Sequence, residues 1–372
     1  MFNNIYSFYY DWWKNIDKLI FFLIISLFSL GLFFSLVSTS IIASDKLNTN
    51  SYHFFLKHLF FIILSVGIFS FLSFMDKNKL FKICYYLFFI SFLLLFLVPF
   101  LGVEVKGSKR WIDIGILPRL QPVEILKPFL VIILGILLSL ENIKKLYIKY
   151  LYSFFIIIPI LTLLVLQPDI GQTILIIMVW LTLVFISGVN LILFFSLISL
   201  FSAFLGYLII FIPKFEYIKS RILSFFDPSS GDSYQSEKAS EAIINGGLFG
   251  QGIGEGTLNT KVPEAHTDYI ISVISEEFGV IIVILIMIIF LVLTFKIMKK
   301  IDEETDNKVK ITLLGCTSLI ILQSFIHIGV NIAILPTTGM TLPFLSYGGS
   351  STVSTAIISG IILNLTKRKI KY

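Results

Sequence analysis

Charge is what this chain has least of. Asp, Glu, Lys and Arg make up 14% of its 372 residues, too little polar surface to coat a soluble particle of that size. Cysteine is nearly absent: Cys84 and Cys316 both fall inside apolar runs, which excludes a disulfide framework and leaves two buried thiols. No internal repeat signals a two-fold transporter. No cluster of His, Cys, Asp or Glu has a recognisable metal-ligand spacing. The formal net charge of +6 is no sign of nucleic acid, because Lys-rich short loops on one side of a membrane account for it.

Apolar residues are abundant instead. The chain is 56% hydrophobic with 38 Phe and a mean hydropathy of +0.93. Its recurrent runs of about 20 apolar residues match the hydrocarbon thickness of a bilayer, so the fold class is an all-α integral membrane protein. The runs predict about ten transmembrane helices, at 19–39, 54–75, 82–101, 122–141, 148–166, 169–188, 190–213, 269–296, 311–334 and 350–366. The first follows Trp12, Trp13 and Lys14 and lacks a small-residue cleavage site, so it reads as a retained span and not a signal peptide. Basic residues crowd alternate connections, such as Lys77, Lys79, Lys144, Lys145, Lys299 and Lys300, which places both termini in the cytoplasm. Residues 1–372 then form a single polytopic domain with extracytoplasmic loops at about 102–121, 214–268 and 335–349. The second of these, between helices 7 and 8, is far longer than a connection needs and reads as ordered and functional.

Ionisable residues within or beside membrane-length runs usually mark substrate paths. "QPVEILKPF" sets Pro122 in a first helical turn, with Glu124 and Lys127 three apart on one face. That pair either fixes helix packing or lines a polar cavity. "LQPDIGQT" puts Asp169 and Gln172 at the start of the sixth span, where Asp169 suits an N-cap without being barred from a site. "KGSKRWIDIG" sets Lys109 and Arg110 beside Trp111, a combination suited to an anionic lipid head group such as a pyrophosphate; a solvated loop with one Trp anchor is the plainer reading. Lys219 and Arg221 fall on a short amphipathic helix within 217–235. "NGGLFGQGIGEGT" follows no strand, so its glycines read as backbone turns close to a substrate, not as a nucleotide loop.

"KVPEAHTDYIISVISEEFG" delivers His266, Thr267 and Asp268 to the start of the eighth span. Asp268 there is an N-cap or, partly desolvated at the membrane surface, a general base. Glu276 and Glu277 lie about two turns deeper, and at least one should meet an internal partner such as Lys127. "LPTTGMTLPFLSYGGSS", with Ser346 and Ser350, is uncharged but too polar for lipid, which fits a re-entrant or substrate-lining turn.

Taken in order, these stretches resemble the SEDS family (shape, elongation, division and sporulation) over nearly the whole chain. "DWWKNIDKLI", "DPSSGDSYQ" and "GQGIGEG…PEAHTD" are closer to its division branch than to its elongation branch. The resemblance implies a ten-span glycosyltransferase of the bacterial cytoplasmic (inner) membrane that polymerises lipid II into peptidoglycan at the division septum. The 4-hydroxyl of the acceptor's GlcNAc would attack the anomeric carbon of the donor's MurNAc, with undecaprenyl pyrophosphate leaving. The family's essential aspartate matches Asp268, and the Glu and Lys of its fourth-span motif match Glu124 and Lys127. The implied partners are lipid II and undecaprenyl-linked glycan, a class B penicillin-binding protein transpeptidase and other divisome membrane proteins, with no nucleic acid. An inverting sugar transfer needs one base, and a departing pyrophosphate needs positive charge or a metal. Lys109, Arg110 and Arg221 are the candidate cations; no cofactor is assigned, and a divalent metal (Mg or Mn) is the other source. Val123 departs from the family's usual Ser, Ser275 from a frequent Gly, and His327 stands where an amide is expected. The alternatives are a lipid II flippase or other transporter, and an elongation-type polymerase. Alternating access favours a site near the midplane, whereas Asp268, the basic loop and the Ser/Gly loop gather on the outer face.

Overall fold

Backbone polar groups inside a bilayer must be satisfied within the segment, so runs this apolar form helices. The structure, a computed structural model, describes residues 2–47, 52–105, 108–113, 115, 119–141, 146–227, 234–258, 262 and 264–368. The helices are α1 (Phe2–Asn15), α2 (Lys18–Leu47), α3 (His53–Phe74), α4 (Lys77–Leu101), α5 (Pro122–Leu138), α6 (Leu146–Leu166), α7 (Ile170–Ile186), α8 (Leu191–Phe211), α9 (Glu216–Phe226), α10 (Tyr234–Gly246), α11 (Ile270–Phe278), α12 (Val280–Glu303), α13 (Asn307–Asn331) and α14 (Gly349–Leu365). Among the described residues seven of them, α2, α3, α4, α6, α8, α12 and α13, are long and apolar enough to cross a membrane, and α7 and α14 are shorter apolar helices.

Helix α5 lies at the centre of the bundle, against α4, α6, α7, α13 and α14, and buries nearly its whole length. Pro122 opens it, as expected, where a missing N–H leaves nothing unsatisfied. Small residues let the helices approach: a Cβ at Gly135 would collide with Thr312 Oγ1, and one at Gly315 would lie 2.5 Å from Val131 Cγ1. Asn364 Nδ2 donates to Leu72 O at 2.8 Å and Met75 O at 2.6 Å, so α14 satisfies orphan carbonyls at the end of α3. Cys84 and Cys316 are buried free thiols.

The all-α class holds, and the structure adds a small antiparallel hairpin, β1 (Gly102–Val105) with β2 (Ser108–Ile112), in which Val103 faces Trp111 and Glu104 faces Lys109. Alternating Val and an opposite-charge cross-strand pair favour it; Lys106 and Gly107 at its turn lie outside the described residues. The single helix expected at 269–296 is broken at Gly279 (φ +82°), separating α11 from α12. The long 214–268 connection carries the amphipathic α9, as expected, and also α10. Residues 228–233 of the "DPSSGDSYQ" stretch, together with 259–261 and 263, lie outside the described residues, as do Lys144 and Lys145.

The 335–348 segment folds back into the bundle, as its composition predicts. Met340, Leu342, Phe344, Leu345 and Ser346 are buried, and Phe344 meets Phe28 edge-on at 5.0 Å between ring centroids. Gly31 makes room, because a Cβ there would collide with Phe344 O.

Candidate active site

Asp268 stands half-buried just before α11, whose N-cap position falls on Tyr269, so the capping role is not its place. The folded-back 335–348 segment runs beside it: a Cβ built on Gly339 (φ +70°) would lie 3.4 Å from Asp268 Oδ2. Side chains stitch that segment to the Asp268 stretch. Ser346 Oγ donates to Thr267 O at 2.6 Å and accepts from Leu342 N at 2.8 Å, while Tyr347 N donates to His266 O at 3.0 Å. The His266 ring packs near Phe54 and Tyr347, at 5.7 and 5.5 Å between centroids.

Helix α13 supports this end with three polar residues spaced by four, Gln323, His327 and Asn331, on one helical face. Fully buried Asn331 donates from Nδ2 to Asp268 O at 3.0 Å and His327 O at 2.9 Å. Its Oδ1 accepts from Ser272 N at 3.2 Å and Ser272 Oγ at 3.0 Å. His327 Nδ1 lies 2.7 Å from Met340 O, which requires the tautomer protonated there. Reading single apolar runs missed Gln323 and Asn331; their i, i+4, i+8 spacing inside a span was the available signal.

The Glu124–Lys127 pair forms as the spacing predicts, and it is the centre of a network. Lys127 Nζ lies 2.9 Å from Glu124 Oε2 and donates to Gln323 Oε1 at 3.0 Å, with the two side chains 1% and 5% exposed. Gln172 Nε2 donates to Glu124 Oε1 at 2.6 Å, and Gln323 Nε2 to Thr341 O at 2.9 Å. The network therefore reaches the same folded-back segment that borders Asp268.

A second chain of polar groups begins at Asp169. It caps α7 through Gln172 N at 3.4 Å, as expected, and also accepts from Gln121 Nε2 at 3.2 Å. Gln121 N donates in turn to Ser350 Oγ at 2.9 Å. Arg110 turns inward: Nη1 is 3.8 Å from Asp169 Oδ1, Nε donates to Gln167 O at 3.3 Å, and Nη2 donates to Pro168 O and, at 3.1 Å, to Tyr217 Oη. Burial raises the Tyr217 phenol above its ordinary pKa and Asp169 adds to that, while Arg110 and Arg221 oppose it. The Arg221 guanidinium lies 5.6 Å from the Tyr217 ring centroid and donates to Thr337 O at 3.5 Å. Asp268 and Arg221 both act electrostatically on the Tyr269 hydroxyl. Arg110 is thus committed to holding α7 and α9, while Arg221 bonds to the folded-back segment that also borders Asp268. Lys109 stays exposed on β2, and Trp111 is half-buried opposite Val103.

Glu276 and Glu277 do meet internal partners, but Lys127 is not among the bonds that hold them. Glu276 Oε1 accepts from Asn245 Nδ2 at 3.0 Å and Leu258 N at 2.9 Å, and Glu277 Oε2 accepts from Gly254 N. The glycine-rich stretch is what they bind. Gln251 N and Gly252 N donate to Glu276 O and Glu277 O at 2.8 and 3.1 Å, and Val280 N donates to Gly247 O at 3.0 Å. A Cβ at Gly246, Gly250 or Gly279 would collide with backbone across this contact. These three glycines allow the close approach of two backbone segments of the chain at the helix break. Among the described residues, no group of three or more His, Cys, Asp or Glu side chains is gathered closely enough to hold a metal ion.

Fold and site define a class: a multi-pass membrane protein whose polar site is assembled at one end of a helix bundle, from helix termini and a segment folded back between them. More narrowly, the family model described as "Cell cycle protein" (FtsW, RodA, SpoVE) matches residues 17–371, and the chain belongs to that family. A "Probable peptidoglycan glycosyltransferase FtsW" of Coxiella burnetii (strain RSA 493 / Nine Mile phase I) is 36% identical over 374 residues, covering 96% of this chain and 96% of its own. The protein of the same name from Caulobacter vibrioides (strain NA1000 / CB15N) is 30% identical over 362 residues, covering 96% and 91%. A solved chain from "Structural coordination of polymerization and crosslinking by a peptidoglycan synthase complex" matches with a TM-score of 0.76 at 26% identity, over 94% of this chain and 97% of that one. The rod shape determining protein RodA of Thermus thermophilus shares the fold, with a TM-score of 0.68 at 24% identity over 94% and 96%.

Proposed function

We propose that the chain is a peptidoglycan glycosyltransferase that polymerises lipid II during septal wall synthesis, with Asp268 as general base. The acceptor's 4-hydroxyl bonds to the donor's anomeric carbon as its proton passes to Asp268. The anomeric carbon–oxygen bond to phosphate breaks, and undecaprenyl pyrophosphate departs. The observation that carries this reading is one pairing. A half-buried carboxylate lies against Gly339, and a guanidinium, Arg221, is anchored two residues away on the same segment at Thr337. The pairing supplies the base and the cation that the transfer requires. FtsW-named relatives support the substrate class. In this reading the chain crosses the inner membrane ten times, both termini are cytoplasmic and the Asp268 end faces outward. The likeness to a synthase complex supports a class B penicillin-binding protein as partner, with other divisome proteins around it.

The test is purified protein with its transpeptidase partner and labelled lipid II, comparing wild type with Asp268→Asn. Glycan ladders should vanish in the variant, a loss of at least about 10²–10⁴-fold for a general base. A ladder that survives Asp268→Asn sinks the mechanism. If the wild type makes none but moves lipid II across liposomes, the flippase reading wins. A divalent cation (Mg or Mn) carried on the diphosphate is the alternative source of positive charge. A chelator that abolishes ladders while Arg221→Gln does not would favour it.

A further inference from the structure

At the end of the bundle opposite Asp268, the α1–α2 junction, α12 and the residues after α14 surround a cavity of about 330 Å³. Lys14, Lys18, Lys296 and Arg368 line it, with Ile16, Leu19 and one carboxylate, Asp17. That carboxylate is already committed. Its Oδ1 accepts from Leu19 N at 3.1 Å and Ile20 N at 3.3 Å, and its Oδ2 lies 3.7 Å from Lys296 Nζ and 4.0 Å from Lys300 Nζ. Lys300 also pairs with Glu303 at 2.9 Å. Among the described residues no carboxylate forms an ion pair with Lys14, Lys18 or Arg368. The walls are held in place, because Arg368 N donates to Asn15 O at 2.9 Å and Ile16 is buried. Trp12 and Trp13 give the depth. Indole rings collect at the water–lipid boundary, and Trp12 Nε1 is fixed on Ser73 Oγ at 3.2 Å while Lys18 Nζ sits 5.5 Å from the Trp13 ring centroid.

An under-neutralised basic cavity at head-group depth, with exposed apolar Leu19 at its edge, has the chemistry of a phosphodiester site. Its volume falls at the small end of the roughly 300–1,000 Å³ of ligand pockets. We propose that it binds the head group of one anionic phospholipid from the adjoining leaflet, through Lys14, Lys18, Lys296 and Arg368. The lipid would join the α1–α2 junction, α12 and Arg368, whose four cations Asp17 alone does not neutralise.

Native mass spectrometry of the full chain, released from nanodiscs of phosphatidylglycerol or of phosphatidylcholine, reads the site directly. The wild type should retain one phosphatidylglycerol beyond its phosphatidylcholine background. Lys14→Gln/Arg368→Gln should weaken that retention about 25-fold at low salt, taking roughly 5-fold for each cation removed near an anionic surface. Lys14→Gln alone, a milder change should the double variant fail to fold, should show the 5-fold step. Lys79→Gln/Lys308→Gln, altering lysines at the same end outside the cavity, should leave the lipid in place. Equal loss in that control pair, retention in both cavity variants, or displacement by millimolar inorganic phosphate would each overturn the proposal, the last by making the site one for a free anion.

Discussion

Lys127→Met should destabilise the protein far more than removing both members of its ion pair. The lysine has Glu124 at 2.9 Å and Gln323 at 3.0 Å, and both charged side chains are almost wholly buried. Methionine keeps the length of the stem but strands Glu124 with the Gln172 amide as its remaining neighbour in this network. Breaking a buried pair on one side costs about 3–5 kcal/mol. Interhelical hydrogen bonds in membranes average only ~0.6 kcal/mol, so the stranded charge and not the lost bonds sets that size. Glu124→Gln/Lys127→Met has no charge left to strand, and its new amide can still meet Gln172; its cost should stay below about 2 kcal/mol. Reversible unfolding of the full chain in mixed micelles, followed by Trp fluorescence, gives the four free energies of wild type, Glu124→Gln, Lys127→Met and the double variant. If the single-variant costs simply add, or if Lys127→Met costs less than about 1 kcal/mol, the pair is solvated and the reasoning fails.

Gly250→Ala would place a Cβ against Glu277 O at a φ of +81°, costing about 1–2 kcal/mol for the left-handed backbone before the clash is counted. The glycine-rich stretch should then undock and become protease-sensitive between 247 and 256; an unchanged cleavage pattern refutes its docking role. Asn331→Ala removes the donor to Asp268 O and the acceptor for Ser272, stranding groups worth about 1–3 kcal/mol each. Polymerisation should fall chiefly in kcat, and Asn331→Asp, which cannot donate, should not restore it; full rate in folded Asn331→Ala would show that Asp268 is positioned by other contacts. Burial lowers the Lys367 amine from 10.5 to about 8, below its unfolded value. The folded state is therefore penalised below about pH 8, and the penalty is relieved as pH rises from about 8 to 10.5. Over that window the wild-type melting midpoint should gain on Lys367→Met, and a constant difference between the two counts against the burial argument.

Local chemistry made much of this molecule readable. A bilayer-length apolar run must satisfy its own backbone, so helices appear where the runs stand, and Pro122, Asp169 and the Glu124–Lys127 spacing act within one or two turns of a single helix. The folded-back 335–348 segment was legible for a related reason, its composition suiting neither lipid nor water. Partners across the bundle were not legible. Glu276 and Glu277 bind the 245–258 stretch because α11 ends where that stretch arrives, and the left-handed turn at Gly279 opens the helix to it. Arg110 turns toward Asp169 and Tyr217 because the hairpin, α7 and α9 converge on it, a meeting of segments 57 to 107 residues apart. Sequence by itself determined where most of the membrane-length helices stand and which charges needed an answer inside the membrane. Tertiary structure alone decided which group answers each, because a buried charge takes whatever donor the packing brings within about 3 Å, and packing is a property of the whole chain.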